Sequence, residues 1–428
     1  MAPGLALDAE ESRLNYAAHI RYWRRNLKTF LPHQFTGNDC NRMTLAAFII
    51  SALDILGDLK AALSDGEREG YIDWVYRCQL PEGGFRPAPA TDLGAVRSRE
   101  NQIWDPAHLA GTFFALLILI NLGDDLERVK RREALQWLTK LQRPDGGFGE
   151  TLGEADRVEG GNDSRFGFMA AGVRWMLRGN LEGPVDGVPD MDVDALVRCI
   201  QAAETYDGGL SEAPYHEAHA GFASCAISAL HLVDRLPTST PDGRVRGLNN
   251  LPLTLRWLAS RQTLTLDEED AADTYEDETD SSATCHDSHS FMKLRDYPTT
   301  RGKLSFIDQP LVHAELKWVG MNGRENKIGD TCYAYWVCTP LKLLGHLDIV
   351  DSKPIRRWLL DRTQHLVGGF GKLPGDHPDP QHSFLGLMVL SMFGEAGLQS
   401  VDTALCITER AKQHLESLPW RRKLLAMD

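Results

Sequence analysis

The sequence predicts an all-α protein, an α/α toroid: a six-fold α-α barrel in which outer and inner helices alternate. Three observations predict it. Helix-length segments recur at a steady interval, they fall into an amphipathic set and a set that is apolar on every face, and a glycine turn follows most of the amphipathic ones. With 428 residues, 43% of them hydrophobic, the chain can bury such a core as a single domain over residues 1–428.

The outer segments are YIDWVYRCQL from residue 71, ALQWLTKLQR from 134, ALVRCIQAAE from 195, TLRWLASRQ from 254 and IRRWLLDRTQ from 355. Most pair a tryptophan with basic residues at helical spacing, as a half-exposed helix requires. Four lead into a turn: PEGGF (81–85), PDGGF (144–148), YDGGL (206–210) and VGGF (367–370).

The inner segments start near residues 42 (RMTLAAFIISALDILG), 107 (AHLAGTFFALLILINLG), 164 (SRFGFMAAGVRWMLRG), 217 (EAHAGFASCAISALHLV), 330 (DTCYAYWVCTPLKLLG) and 380 (PQHSFLGLMVLSMFG). Apolar on all sides, they belong inside. Their starts are spaced by about 65, 57, 53, 113 and 50 residues. The long gap contains one outer segment, so its excess is an insertion between about 263 and 319. Within it, DEEDAADTYEDETD (267–280) carries nine acids and no base, the composition of a partly disordered acidic loop.

Closing six such pairs into a ring brings the inner-helix N-termini to one rim, where unsatisfied N–H groups and positive dipole ends favour an anion. The net charge of −14 argues against nucleic acid and anionic membrane and favours basic partners. The longest apolar run, residues 111–123, is shorter than the roughly 20 residues of a transmembrane helix. Eight scattered cysteines without a CxxC pair, in a chain whose start lacks a targeting pattern, lead to an expected cytoplasmic location.

The inner starts carry His219, Asp330, Cys332 and His382. A thiolate, an imidazole and a carboxylate supply three positions of a tetrahedral zinc site and leave one open, the pattern of a catalytic metal that activates another thiol. Arg324, Lys327 and Lys372 stand on the loops before two of these helices and suit a diphosphate. Aromatics on the inner helices, among them Phe48 and Trp336, would line a central cavity fit for a long apolar guest. Together they point to transfer of an isoprenoid from its diphosphate to a cysteine.

GRENKIGDTCYAYW (323–336) and GGFGKLPGDHPDPQHSFLG (368–386) resemble the β subunits of protein prenyltransferases, most closely geranylgeranyltransferase type I. The resemblance runs from about residue 42 to 394, outside the insertion. It implies zinc held by Asp330, Cys332 and His382, with the cysteine of a C-terminal CaaX motif as fourth ligand. It implies diphosphate binding by His219, Arg324, Lys327, Tyr333 and Lys372, and peptide binding at Arg165, with Phe168 where the family usually has tyrosine. In farnesyltransferases an aspartate that helps bind magnesium matches Lys372, so the lysine implies independence of magnesium. A bulky tryptophan matches Thr44, so the threonine implies room for a 20-carbon donor. The implied partners are a helical prenyltransferase α subunit in a heterodimer, geranylgeranyl diphosphate, and CaaX proteins such as Rho-type small GTPases. His219-Ala220-Gly221 and Tyr333-Ala334-Tyr335-Trp336 depart from the family's HGG and YSFW.

Competing readings are a farnesyl or Rab-type β subunit, against which Lys372 argues, a terpene cyclase, and a non-catalytic α/α interaction subunit. A cyclase needs aspartate-rich motifs inside the cavity, whereas the acid-rich stretch here lies in a loop.

Overall fold

A computed structural model describes residues 12–29, 37, 40–237, 244–266 and 316–426. Among these residues six inner helices stand out: Arg42–Ile55, Leu109–Asn121, Ser164–Arg178, Ala220–Leu232, Thr331–Leu343 and Pro380–Met392. Each packs on the next and the last packs on the first, so the ring closes. In Leu109–Asn121, 11 of 13 residues are buried, because one side of the helix meets the outer layer and the other turns inward.

Polar residues at the inner-helix starts have a local cause as well as a chemical one. The side chains of Asp163, His219, Asp330 and Asp379 each accept a backbone N–H from the first turn of the third to sixth inner helices. Capping therefore places titratable groups along one rim.

The outer helices are Tyr16–Lys28, Asp65–Arg77, Arg131–Lys140, Val193–Ala202, Leu251–Ala259 and Ser352–Trp358. The first of them escaped the repeat reading, although HIRYWRRNL within residues 19–27 has the same mix of tryptophan and basic residues. It completes the sixth pair.

The glycine turns explain how the ring is locked. Gly83, Gly146, Gly208 and Gly368 all have φ between +91° and +95°, which favours glycine. A Cβ on each would lie 2.1–2.4 Å from the backbone of another outer helix: at Ala134, Ala195, Leu253 and Ala18 respectively. The last turn rests on the N-terminal helix, which makes Gly368 against Ala18 the closing seam. Asn15 N–H donates to Gln364 Oε1 at 2.7 Å, and Gly369 N–H to His19 Nδ1 at 3.3 Å.

The edges of the segment 263–319 are ordered. Gln262–Thr263 pairs antiparallel with Gly320–Met321, and Leu266 and Val319 are buried. This ribbon brings the two ends together, so the ring continues across the insertion. The acidic run 267–280 lies outside the described residues.

Residues 401–425 lie across the C-terminal ends of the first three inner helices. They form a hairpin, Val401–Asp402 with Ile407–Thr408, followed by the helices Glu409–Ser417 and Pro419–Leu425. Arg410 donates to Asp54 Oδ1 at 2.6 Å and to the Asn121 carbonyl at 3.1 Å, and Arg421 to the Trp175 and Met176 carbonyls at 2.9 and 2.8 Å. Cations at helix C-termini bond last-turn carbonyls, of which those of Asn121 and Met176 lie beyond the helices' own bonding pattern. Among the described residues no helix is long and apolar enough to cross a membrane.

Candidate metal centre and active site

Asp330, Cys332 and His382 come together from the fifth and sixth inner helices, one ligand atom of each within 4.8 Å of the others. Asp330 is the N-cap of its helix, and Oδ1 accepts the Cys332 N–H at 2.8 Å. The same oxygen stands 3.3 Å from His382 Nε2. Asp330 and Cys332 are 5% and 7% exposed, so water solvates them little.

The protonation states describe a cluster prepared for a cation. Burial opposes the Asp330 charge, yet the bonds from His382 and Cys332 hold its carboxyl below the usual range. Burial and then the Asp330 charge push the Cys332 thiol well above its ordinary value. Burial works against the His382 cation, but Asp330 and Asp379 raise the imidazole to about 9. A divalent ion would relieve the repulsion of a thiolate beside a carboxylate in a dry site. Sulfur, nitrogen and oxygen donors with one position left open fit zinc.

The sixth helix supplies a residue that sequence reasoning missed. Asp379 Oδ2 stands 2.5 Å from His382 Nδ1, while its Oδ1 accepts the His382 N–H at 3.0 Å. An acid immediately before a proline that opens a helix, as in DPQH, was the available signal.

Beside this cluster, His219 and Tyr333 meet, Nε2 to OH at 3.1 Å. His219 Nδ1 accepts the Gly221 N–H, which leaves the proton on Nε2, directed at Tyr333. Burial, then the Arg324 charge, lowers the His219 pKa, so the ring is neutral and donates. Burial pushes the Tyr333 hydroxyl up to about 12. The Ala220 N–H donates to the Gly323 carbonyl at 2.8 Å, and a Cβ on Gly323 would lie 2.3 Å from the Tyr333 ring. Glycine before Arg324 thus lets this loop pass close to the phenol.

Arg324 and Lys327 are exposed on that loop, and Lys372 is exposed on the next. The backbone of Lys372 is fixed by Thr331, whose N–H donates to its carbonyl at 3.1 Å. The Lys372 charge also acts on the Cys332 thiol, in the direction that favours a thiolate.

Arg165 stands on the third inner helix, bound bidentately by Asp163 at 2.7 and 2.8 Å. Its guanidinium lies 5.7 Å over Phe222 and 5.9 Å over Phe166. Phe168 sits deeper, 8% exposed, with its ring edge on Phe113, so the aromatic neighbours of the arginine are Phe166 and Phe222. Thr44, Phe48 and Trp336 are half-buried. Phe48 stacks on Phe384 at 5.0 Å and meets Phe114 edge-on, an aromatic belt across the first, second and sixth inner helices. Tyr335 does not line this space. It is 1% exposed and donates to the Thr403 carbonyl at 2.8 Å.

A closed ring of six helix pairs with this site at one rim defines the class, and residues 14–407 match the prenyltransferase α/α toroid domain. The chain belongs to that family. It is 28% identical over 395 residues to the geranylgeranyl transferase type-1 subunit beta of Arabidopsis thaliana, covering 89% of this chain and 85% of the relative. It is 25% identical to the Dictyostelium discoideum subunit of the same name, over 94% and 97% of the two chains. The protein farnesyltransferase subunit beta of Schizosaccharomyces pombe is 24% identical, over 90% and 80%. Among solved structures, Candida albicans protein geranylgeranyltransferase-I complexed with GGPP shares the fold with a TM-score of 0.73 at 24% identity, covering 95% of this chain and 99% of that one.

Proposed function

We propose that this chain is the catalytic β subunit of a cytoplasmic protein geranylgeranyltransferase of type I. It moves a 20-carbon geranylgeranyl group from geranylgeranyl diphosphate to the cysteine of a C-terminal CaaX motif. The observation that carries this reading is the meeting of the Asp330, Cys332 and His382 donors with the His219–Tyr333 pair and three rim cations. Zinc held by those donors would keep the substrate cysteine as a thiolate at neutral pH.

The chain's own groups do the rest. As the C1–oxygen bond breaks and the carbon–sulfur bond forms, negative charge grows on the diphosphate. Arg324, Lys327, Lys372, the His219 N–H and the Tyr333 hydroxyl receive it. Arg165, oriented by Asp163, takes the end of the peptide. The belt of Phe48, Phe114 and Phe384, with Trp336, surrounds the isoprenoid, and the small Thr44 leaves room for its last unit. A helical α subunit completes the enzyme.

The test is co-expression with a candidate α subunit, then assay of peptides ending in Leu or Ser with the 15- and 20-carbon donors at varied magnesium. Transfer of the 20-carbon group to the Leu peptide without magnesium is expected. Preference for the 15-carbon donor and a Ser ending would assign a farnesyl enzyme instead. About one zinc per chain, lost together with activity in Cys332→Ala, is expected; an active, zinc-free variant would remove the metal role.

A further inference from the structure

The rim cation whose charge acts on both His219 and Tyr333 is not free. Arg324 Nη1 donates to Glu217 Oε2 at 2.6 Å. The bond joins the loop before the fourth inner helix to the loop before the fifth. Both side chains are well exposed, Arg324 at 44% and Glu217 at 58%. The backbones beneath them are fixed: the His219 N–H donates to the Leu210 carbonyl at 2.9 Å, and the Ala220 N–H to Gly323. Among the described residues Nη1 alone of the guanidinium is engaged. The carboxylate therefore meets the guanidinium end-on, and the remaining N–H groups are available to an anion.

We infer that Glu217 is an internal competitor for the diphosphate. It occupies Arg324 when the site is empty, gives way when a diphosphate arrives, and returns to assist release of the diphosphate product. This inference rests on the proposed function and deepens it.

The physical reasoning has two parts. An exposed, end-on ion pair is weak, so Glu217 can leave Arg324 for water at small cost. A bound diphosphate carries several negative charges into the same rim, and a carboxylate beside it lowers its affinity through like-charge repulsion. Both effects act in one direction: Glu217 loosens the hold on the diphosphate. A residue that merely aimed Arg324 would tighten it. The carboxylate belongs to the loop that carries His219, so it sits within reach of the leaving group and not on a distant surface.

The measurement is calorimetric binding of inorganic diphosphate and of geranylgeranyl diphosphate to the zinc-loaded full chain with its α subunit. Wild type is compared with Glu217→Gln, and geranylgeraniol serves as the uncharged control. The variant is expected to bind both diphosphates on the order of three- to tenfold more tightly. The gain should shrink as salt rises, with geranylgeraniol binding unchanged. In an Arg324→Gln background the gain from Glu217→Gln should be smaller; an equal gain there overturns competition for Arg324. Unchanged or weaker diphosphate binding by Glu217→Gln, with wild type binding normally, overturns the inference and leaves the proposed function standing. Failure of wild type to bind either diphosphate overturns the proposed function itself.

Discussion

Asp379 holds His382 at two points with one carboxylate: Oδ1 on the backbone N–H at 3.0 Å and Oδ2 on Nδ1 at 2.5 Å. The first bond caps the sixth inner helix and the second turns the imidazole so that Nε2 faces Asp330, 3.3 Å away. A single side chain thus ties helix geometry to ligand geometry.

An amide at position 379 has one acceptor oxygen and cannot serve both bonds. Asp379→Asn is therefore expected to weaken zinc binding by about tenfold to a hundredfold. Fold stability should fall by no more than about 1 kcal/mol, the scale of a cap. Competition with a chromogenic chelator reads the first effect and denaturant unfolding the second. Unaltered zinc affinity would show that the ring is positioned by packing alone.

The Lys372 charge acts on the Cys332 thiol, and its loop is fixed by the Thr331 hydroxyl, which donates to the Gly371 carbonyl at 2.7 Å. A fixed cation near a departing diphosphate acts where charge develops. Lys372→Ala should lower kcat on the order of a hundredfold and leave zinc content unchanged. Lys372→Asp should make the residual rate rise with magnesium, because a carboxylate there needs a cation to face the diphosphate. Magnesium stimulation of wild type equal to that of the aspartate variant would contradict this role.

Tyr335, where the family has phenylalanine, has a structural cause: its hydroxyl reaches Thr403 O at 2.8 Å and Cys406 Sγ at 2.7 Å. Tyr335→Phe leaves that carbonyl only the long Cys406 Sγ contact at 3.9 Å and is expected to cost about 1–2 kcal/mol, read as a lower denaturation midpoint. Transfer activity should stay within about twofold of wild type, since the side chain is 1% exposed and touches the hairpin rather than the rim. Loss of activity with unchanged stability would place Tyr335 in the lipid site instead.

The ring and its candidate metal donors are legible in the sequence because both follow the repeat. Inner helices lack a polar face, and Asp330, Cys332 and His382 stand at the starts of two successive inner helices. What escaped was set by contacts between distant residues. Glu217 and Asp163 are ordinary loop acids until Arg324 and Arg165 are placed against them. The segment 401–425 lacks the repeat pattern, since its arginines answer inner-helix carbonyls that no linear motif marks. The N-terminal helix carried a readable signature, but its role appears only when Gly368 is seen against Ala18.

That seam carries the last prediction. His19 is fully buried, with Nδ1 accepting the Gly369 N–H at 3.3 Å and Nε2 3.2 Å from Gln364 Oε1. The bonds require a neutral ring, with the proton on Nε2. Burial lowers its pKa to about 4, with the Gln364 bond opposing. Since the folded value lies below the unfolded value of about 6.5, the unfolded chain binds the proton first. Stability is then intact above about pH 6.5 and is lost as pH falls toward 4, by up to about 3 kcal/mol. His19→Gln cannot titrate, so its unfolding midpoint should change less across that window, which urea titrations at pH 7, 5.5 and 4.5 would measure. Gly368→Ala tests the same seam without a proton. Its φ of +92° and a Cβ 2.2 Å from the Ala18 carbonyl predict a loss of about 3 kcal/mol or more, with faster amide exchange over Tyr16–Lys28. Equal pH slopes for wild type and His19→Gln would move the acid sensitivity of the fold away from its closing seam.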